Sequence, residues 1–227
     1  MIVRQGVSLR ADGTMYIGSK FLPVALLNRE RFFKREGMSI VVSATLEHGS
    51  VVKVVTGGEV DDVVVGDGLV THAPDVFLAI TVADCFPVFF SCASQNIVGL
   101  AHAGWRGVAS GIIENMVAVF KKEFDVDPSM IKATIGPGLR SCHFEIKEDV
   151  LQKFTGYEEF SNIRDGRIFL DLSGVIKSKL QKVGLIKENI GDDNECTFCF
   201  EEKYFSHRRD QVQPIEAMLV YIGVTRI

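Results

Sequence analysis

The chain is short of proline and tryptophan and has an odd number of cysteines, with 6 Pro, 1 Trp and 5 Cys in 227 residues. No Gly/Ser tract, repeat or low-complexity segment divides it, so a single domain over residues 1–227 is expected. Five unevenly spaced cysteines make no disulfide framework and place the chain in a reducing, cytoplasmic compartment. Lys and Arg number 25 against 29 Asp and Glu, a net charge of −4. No basic stripe or aromatic-interleaved basic cluster appears, which argues against a nucleic-acid partner. The N-terminus, Met1-Ile-Val-Arg-Gln5, lacks the apolar core of a signal peptide. Several catalytic signatures are missing too: His-Glu-x-x-His, Walker A, Gly-x-Ser-x-Gly, and His-x-Glu with Pro-Cys-x-x-Cys. Five histidines with no His-x-His pair do not supply a four-copper set.

One long apolar run, Val76 to Ala93, is about long enough to cross a bilayer. It holds Asp84 and Pro87 near its middle and is dense in β-branched and aromatic residues. It is therefore read as two buried strands joined at an Asp84-Cys85 corner, with no membrane partner. Further strands are expected at Ser39 to Leu46, Val51 to Val55, Val63 to Val65, Ile97 to Ala101 and Ile131 to Ile135. A turn at Gly57-Gly58 separates the second and third of these. Helices are expected at Leu27 to Glu36, Gly107 to Phe124, Glu145 to Phe154 and Asp171 to Val183. The second of these sets Val108, Ile112, Met116 and Val119/Phe120 on one face. Strands come early and helices cluster after residue 107. The predicted fold class is α/β in the mixed α+β sense, a layered mixed sheet covered by helices.

Two of these strands end in chemistry. Thr81-Val-Ala-Asp-Cys85-Phe-Pro87 puts a thiol after one apolar run, and Ala101-His102-Ala-Gly-Trp105-Arg106-Gly107 puts an imidazole after the next. His48, in Leu46-Glu-His48-Gly49, follows a third. A free Cys or a lone His near an apolar face is commonly a core residue. Here all three stand beside Gly or Pro, where the backbone leaves a strand. One soft thiolate and two imidazoles converging from strand ends suit zinc or copper.

Five segments occur in a diagnostic order: Asp67-Gly-Leu-Val-Thr71, Ala83-Asp-Cys85-x-Pro87, His102-Ala-Gly-Trp-Arg106-Gly107, Ile135-Gly-Pro-Gly138 and Phe205-Ser-His-Arg-Arg-Asp210. Together they resemble the laccase-domain family, also called multicopper polyphenol oxidoreductases or YfiH-type proteins. The resemblance runs from about Asn28 to Asp210. It implies a layered α/β fold and a zinc site on His48, Cys85 and His102. It also implies a purine nucleoside enzyme, with phosphorylase and adenosine deaminase activities among relatives. The chain departs from the family pattern in three places, the first and third of which bear on one wall of the pocket. Arg4 to Gly18 holds only Gly6, Gly13 and Gly18 of a glycine-rich lead. The family's Gln-Val-His-Gly reads Leu46-Glu-His48-Gly49. After Arg-Arg-Asp the family's Thr-Gly-Arg gives way to Gln211-Val-Gln-Pro214.

Zinc with three protein ligands keeps a fourth position open and acidifies the water there, as deamination requires. Phosphorolysis needs a clamp for phosphate, and Arg supplies one through its planar fork. Arg106 is the first candidate, followed by Arg29 and Arg209. Trp105 is the candidate face for stacking a purine. Cu²⁺ is an alternative metal, and a copper-dependent polyphenol oxidoreductase an alternative activity. A cysteine hydrolase with Cys85 as nucleophile and His102 or His48 as base is the rival mechanism, supported by a distant resemblance to toxin deamidase domains. A metal-dependent binding module is the non-catalytic alternative. Cys196-x-x-Cys199 lacks a second pair and is read as packing or as support for the site. Cys142 and His143 lie in a family-like segment with no derived role. The oligomeric state is open.

Overall fold

The long apolar runs arise because the sheets are buried on both faces, so side chains pointing either way must be apolar. The computed structural model describes residues 1–16, 23–57 and 60–226; Gly18 and Gly58 lie outside them. Strands and helices are numbered in chain order. One sheet runs β1 (Ile2–Val7), β14 (Met218–Thr225), β6 (Val76–Val82), β2 (Ile40–Thr45) and β4 (Val60–Val65). Its β1–β14 and β14–β6 pairs are antiparallel, and its β6–β2 and β2–β4 pairs are parallel. The second sheet runs β13 (Ile190–Asp192), β9 (Lys132–Ile135), β7 (Phe86–Cys92), β8 (Ile97–Ala103), β5 (Gly68–Thr71) and β3 (Val52–Val55). Its outer pairs, β13–β9 and β5–β3, are parallel and the inner ones antiparallel.

The two sheets pack face to face. Leu78 and Ile80 of β6 and Val220 and Ile222 of β14 meet Phe89, Val98 and Leu100 of the second sheet. On the outer face of the first sheet, Val41, Phe77, Ala79, Leu219 and Tyr221 pack on Phe32 and Phe33 of α1 (Pro23–Glu36). On the outer face of the second, Val88, Phe90 and Ala101 pack on Ile112, Met116 and Phe120 of α3 (Ile112–Phe124) and Val175 and Ile176 of α5 (Leu172–Lys182). A three-stranded antiparallel sheet, β10 (Glu145–Ile146), β12 (Arg167–Leu170) and β11 (Ser161–Arg164), closes that side. The result is a four-layer α/β arrangement: the mixed α/β class and the helical cover are as the sequence predicts, but the expected single mixed sheet is two stacked ones.

Val76 to Ala93 is two strands, β6 and β7, and the corner between them carries the chain from one sheet to the other. Among the described residues no helix is long and apolar enough to cross a membrane. Two expected helices differ. Gly107 to Phe124 is broken into α2 (Trp105–Ala109) and α3, because Gly111 adopts φ 93°, a left-handed value that ends the first helix. Glu145 to Phe154 begins as β10, since Glu145 and Ile146 pair with Phe169 and Ile168. Only α4 (Glu148–Leu151) and a 3-10 turn at Gln152–Phe154 remain helical.

Candidate active site

Three chain crossings between the sheets, β2 to β3 with His48, β4 to β5 with Asp67 and β6 to β7 with Cys85, meet the end of β8 and build the site there. In the β7–β8 ladder Phe86 pairs with Ala103 and Pro87 with His102. That register sets the preceding residue, Cys85, opposite Gly104. In the β5–β8 ladder Gly68 pairs with Ala101, so Asp67 falls opposite His102, whose N–H donates to the Asp67 carbonyl at 2.7 Å. His48 leaves β2 in the left-handed region, with φ 58°. Its loop is held by the same Asp67.

Asp67 is fully buried. Its carboxylate accepts hydrogen bonds from the backbone N–H of Glu47 at 3.3 Å, His48 at 2.9 Å and Gly49 at 2.8 Å, and from His102 Nδ1 at 3.0 Å. That last bond commits Nδ1–H and leaves Nε2 of His102 as a ligand atom, the usual carboxylate–histidine arrangement behind a metal. The other corner is built as firmly. Asp84 sits at φ 87°, a value that L-residues rarely adopt. Its carboxylate accepts from Thr197 Oγ1 at 2.7 Å and Arg208 N at 2.6 Å, and its carbonyl accepts from Leu139 N at 2.8 Å. These contacts aim Cys85 into the site.

The structure brings His48, Cys85 and His102 together, with ligand atoms within 4.8 Å of one another. The two imidazole rings meet edge to face at 4.9 Å. Burial alone would push the Cys85 thiol up. The positive His102 and hydrogen bonds from His102 and His48 outweigh it and bring the pKa to about 6. Burial likewise disfavours a charged His102, but the Cys85 thiolate and Asp67 raise it to about 9. Without metal the pair is therefore thiolate and imidazolium near neutral pH. Iodoacetamide should alkylate metal-free Cys85 with a pH midpoint near 6 rather than the ordinary 9.0, and zinc should suppress the reaction. A midpoint near 9 would contradict the ion pair.

Gly104 has no room for a side chain, since a Cβ there would stand 2.9 Å from Cys85 Sγ and 3.5 Å from His102 Cε1. Gly104→Ala is expected to lower metal content and activity at least tenfold, with less than about 2 kcal/mol lost in stability by chemical denaturation. Gly107 is similarly constrained, its Cβ position being 2.7 Å from the Gly49 carbonyl, so α2 lies directly on the His48 loop.

The substrate-side candidates separate. Trp105 lines a cleft of about 400 Å³ with Phe144, Ile146, Lys147, Val150 and Arg208. Arg106 is exposed, its guanidinium 4.3 Å from the Trp105 ring centre. Arg29 is buried under α1, with Nη2 2.6 Å from Ser43 Oγ and its guanidinium 5.1 Å from the Phe33 ring centre. Arg209 lies in a dense hydrogen-bond network. All five of its N–H groups are committed, to Thr197, Phe198 and Tyr204 carbonyls and to both Asp210 oxygens. It holds the fold, and its neighbour Arg208 faces the cleft. Asp67, Asp84 and Arg208 are the residues that motif reading passed over, although all three lie in the quoted motifs.

A four-layer α/β fold with a Cys/His pair and a second His at a sheet-crossing corner defines a narrow class. Residues 23–224 match the profile of the family described as multi-copper polyphenol oxidoreductase laccase, and the chain belongs to that family. It is 35% identical over 163 residues to the purine nucleoside phosphorylase YlmD of Geobacillus stearothermophilus, a match covering 69% of this chain and 59% of that protein. It is 34% identical over 151 residues to a purine nucleoside phosphorylase of Haemophilus influenzae, covering 63% of this chain and 59% of the relative. The chain thus spans less than two thirds of these relatives. The crystal structure of YlmD from Geobacillus stearothermophilus superposes with a TM-score of 0.92 at 28% identity, covering 99% of this chain and 92% of that one. The Bacillus licheniformis hypothetical protein YfiH gives 0.91 at 27% identity, covering 98% and 93%.

Proposed function

We propose that this chain is a zinc-dependent purine nucleoside enzyme that cleaves inosine- or adenosine-type nucleosides with phosphate, with adenosine deamination as a second activity of the same cleft. The observation that carries it is the convergence of His48, Cys85 and His102, with Trp105, three residues after His102 in the chain, in the wall of an aromatic cleft. One thiolate and two imidazoles, with a carboxylate behind His102, fit zinc in number and kind. When bound, zinc supplies Lewis-acid polarisation and an acidified water at its open position.

The chain's own residues supply the rest. Trp105 and Phe144 offer rings and Ile146 and Val150 apolar walls for a purine. Arg106 beside Trp105 and Arg208 in the cleft wall are the cations for phosphate. Phosphorolysis forms a bond from a phosphate oxygen to the anomeric carbon as the bond to the base nitrogen breaks. The base leaves with the electron pair and takes the proton that the attacking phosphate gives up, directly or through water. Asp84 ties this wall to the metal corner, since its carboxylate holds Arg208 N one residue from Cys85.

The Cys85–His102 ion pair equally suits a cysteine hydrolase. A laccase finds little support in the ligands. Among the described residues only His48 and His102 share a candidate metal site that holds more than one histidine. The discriminating experiment is metal content measured on the preparations used for turnover. His48→Ala should lose one metal equivalent relative to wild type and lose nucleoside turnover with it. Full turnover in a metal-free chain, abolished by alkylating Cys85, would establish the hydrolase instead.

A further inference from the structure

Four side chains that the site above does not use converge on one point. Cys142 Sγ lies 3.4 Å from Cys196 Sγ and 3.7 Å from Cys199 Sγ, and Cys199 Sγ lies 3.4 Å from His143 Nδ1. All four donor atoms fall within 4.8 Å of one another. A disulfide would employ two of the sulfurs at about 2.0 Å and leave the third thiol and the imidazole facing it. A tetrahedral zinc ion, with Zn–S of about 2.3 Å and Zn–N of about 2.0–2.1 Å, sets S···S edges near ~3.8 Å and S···N edges near ~3.6 Å. The observed separations are close to those edges. We infer that Cys142, His143, Cys196 and Cys199 form a closed Cys₃His zinc site, distinct from His48–Cys85–His102.

The backbone around the cluster is arranged as such a site requires. Cys196-x-x-Cys199 closes a turn in which the N–H groups of Cys199 and Phe200 donate to the Cys196 carbonyl at 3.1 and 3.0 Å. The other two ligands come from the turn Ser141-Cys142-His143, closed by His143 N donating to Arg140 O at 2.9 Å. An isolated bridge between Gly138 and Cys196 brings the two turns together. The His143 ring stacks on Phe198 at 3.9 Å and 14°, which fixes its plane with Nδ1 toward Cys199. The second half of the zinc motif is thus an adjacent Cys-His pair, not a second Cys-x-x-Cys.

Four protein ligands leave no open position, so this ion is structural. Its place in the fold gives it a positioning role. Thr197, between the paired cysteines, donates to Asp84, and Arg208 Nη1 donates to the carbonyls of His143 at 3.4 Å and Glu145 at 3.2 Å. The ion braces the wall that carries both Arg208 and the Asp84-Cys85 corner.

The test is zinc analysis of the Cys85→Ala chain, in which the first site has lost its thiolate, so the outcome is independent of any nucleoside chemistry. About one tightly held zinc per chain is expected there, and none in Cys85→Ala/Cys199→Ser. Cobalt substituted into Cys85→Ala should give thiolate charge-transfer and tetrahedral d–d absorption, a readout that does not depend on the double variant folding. The proposal is overturned if Cys85→Ala binds neither Zn²⁺ nor Co²⁺ when supplied, or if its intact mass is two hydrogens light through a disulfide within the cluster.

Discussion

Cys85→Ala is expected to lower inosine turnover about a thousandfold or more while the chain stays folded. Cys85 supplies the thiolate shared by both histidines, and its removal leaves two ligands where three converged. Lewis-acid stabilisation by a bound metal is worth several kcal/mol, and about 4 kcal/mol is roughly a thousandfold in rate. The fold should tolerate the change, because the corner is held by the carboxylate and carbonyl of Asp84 and not by the thiol. Cys85→Ser should be as inactive, since a hydroxyl does not replace a soft thiolate on zinc. Steady-state kinetics at saturating phosphate, with circular dichroism of the same samples, measures both parts. Turnover within tenfold of wild type in folded Cys85→Ala would remove Cys85 from the chemistry.

The second large effect falls on Asp67. Its carboxylate accepts from His102 and from the N–H groups of three successive residues, Glu47, His48 and Gly49. Asparagine keeps one carbonyl oxygen but turns an NH₂ toward donors. Asp67→Asn is therefore expected to weaken zinc binding about 10- to 100-fold. Asp67→Ala leaves those donors and His102 unmatched in a buried place, at a cost of about 3–5 kcal/mol. The pH dependence has a defined sign. Burial pushes the Asp67 carboxyl up, but His102 and the N–H groups of Gly49 and Glu47 outweigh it and hold it below its ordinary 3.8. A carboxyl lowered by folding contributes fully above its unfolded value and loses that contribution as pH falls through the folded one. The stability gap between wild type and Asp67→Ala should thus stay constant from neutral pH down to about 4 and narrow only below it. Urea unfolding across that range, with competitive zinc titration at neutral pH, reads both. A gap that closes between pH 7 and 5 would contradict this role for Asp67.

Cys85 and His102 are legible in the sequence because strands buried on both faces appear as uninterrupted apolar runs, and a polar residue at the end of each stands out. His48 is legible for the same reason at the end of β2. Asp67 is not, because an aspartate before a strand reads as a turn residue. Only the β5–β8 register, a pairing across more than thirty residues of sequence, places it against His102. The choice between Arg208 and Arg209 also eludes local reading. It is made by the Ser206 cap, whose side chain accepts from Arg209 N, and by hydrogen bonding that commits every N–H of the Arg209 guanidinium, whereas Arg208 gives Nη1 and Nη2 to the His143 and Glu145 carbonyls from a position in the cleft wall. The cysteine cluster stays hidden because its halves are joined by a single long-range bridge. Glu145 to Phe154 misleads because its apolar residues satisfy a helical period, while Ile146 is taken by the small sheet. β14, between β1 and β6 in the first sheet, is an apolar run of the same kind that the sequence reading leaves out, because no polar residue of candidate chemistry ends it.

The most direct test of this account is product analysis of inosine incubated with the zinc-loaded chain, with and without inorganic phosphate. The predicted result is hypoxanthine and ribose 1-phosphate in equal amounts when phosphate is present, and no cleavage when it is absent. Free ribose and hypoxanthine formed at the same rate without phosphate, or an inosine pool that remains intact in both, would contradict it.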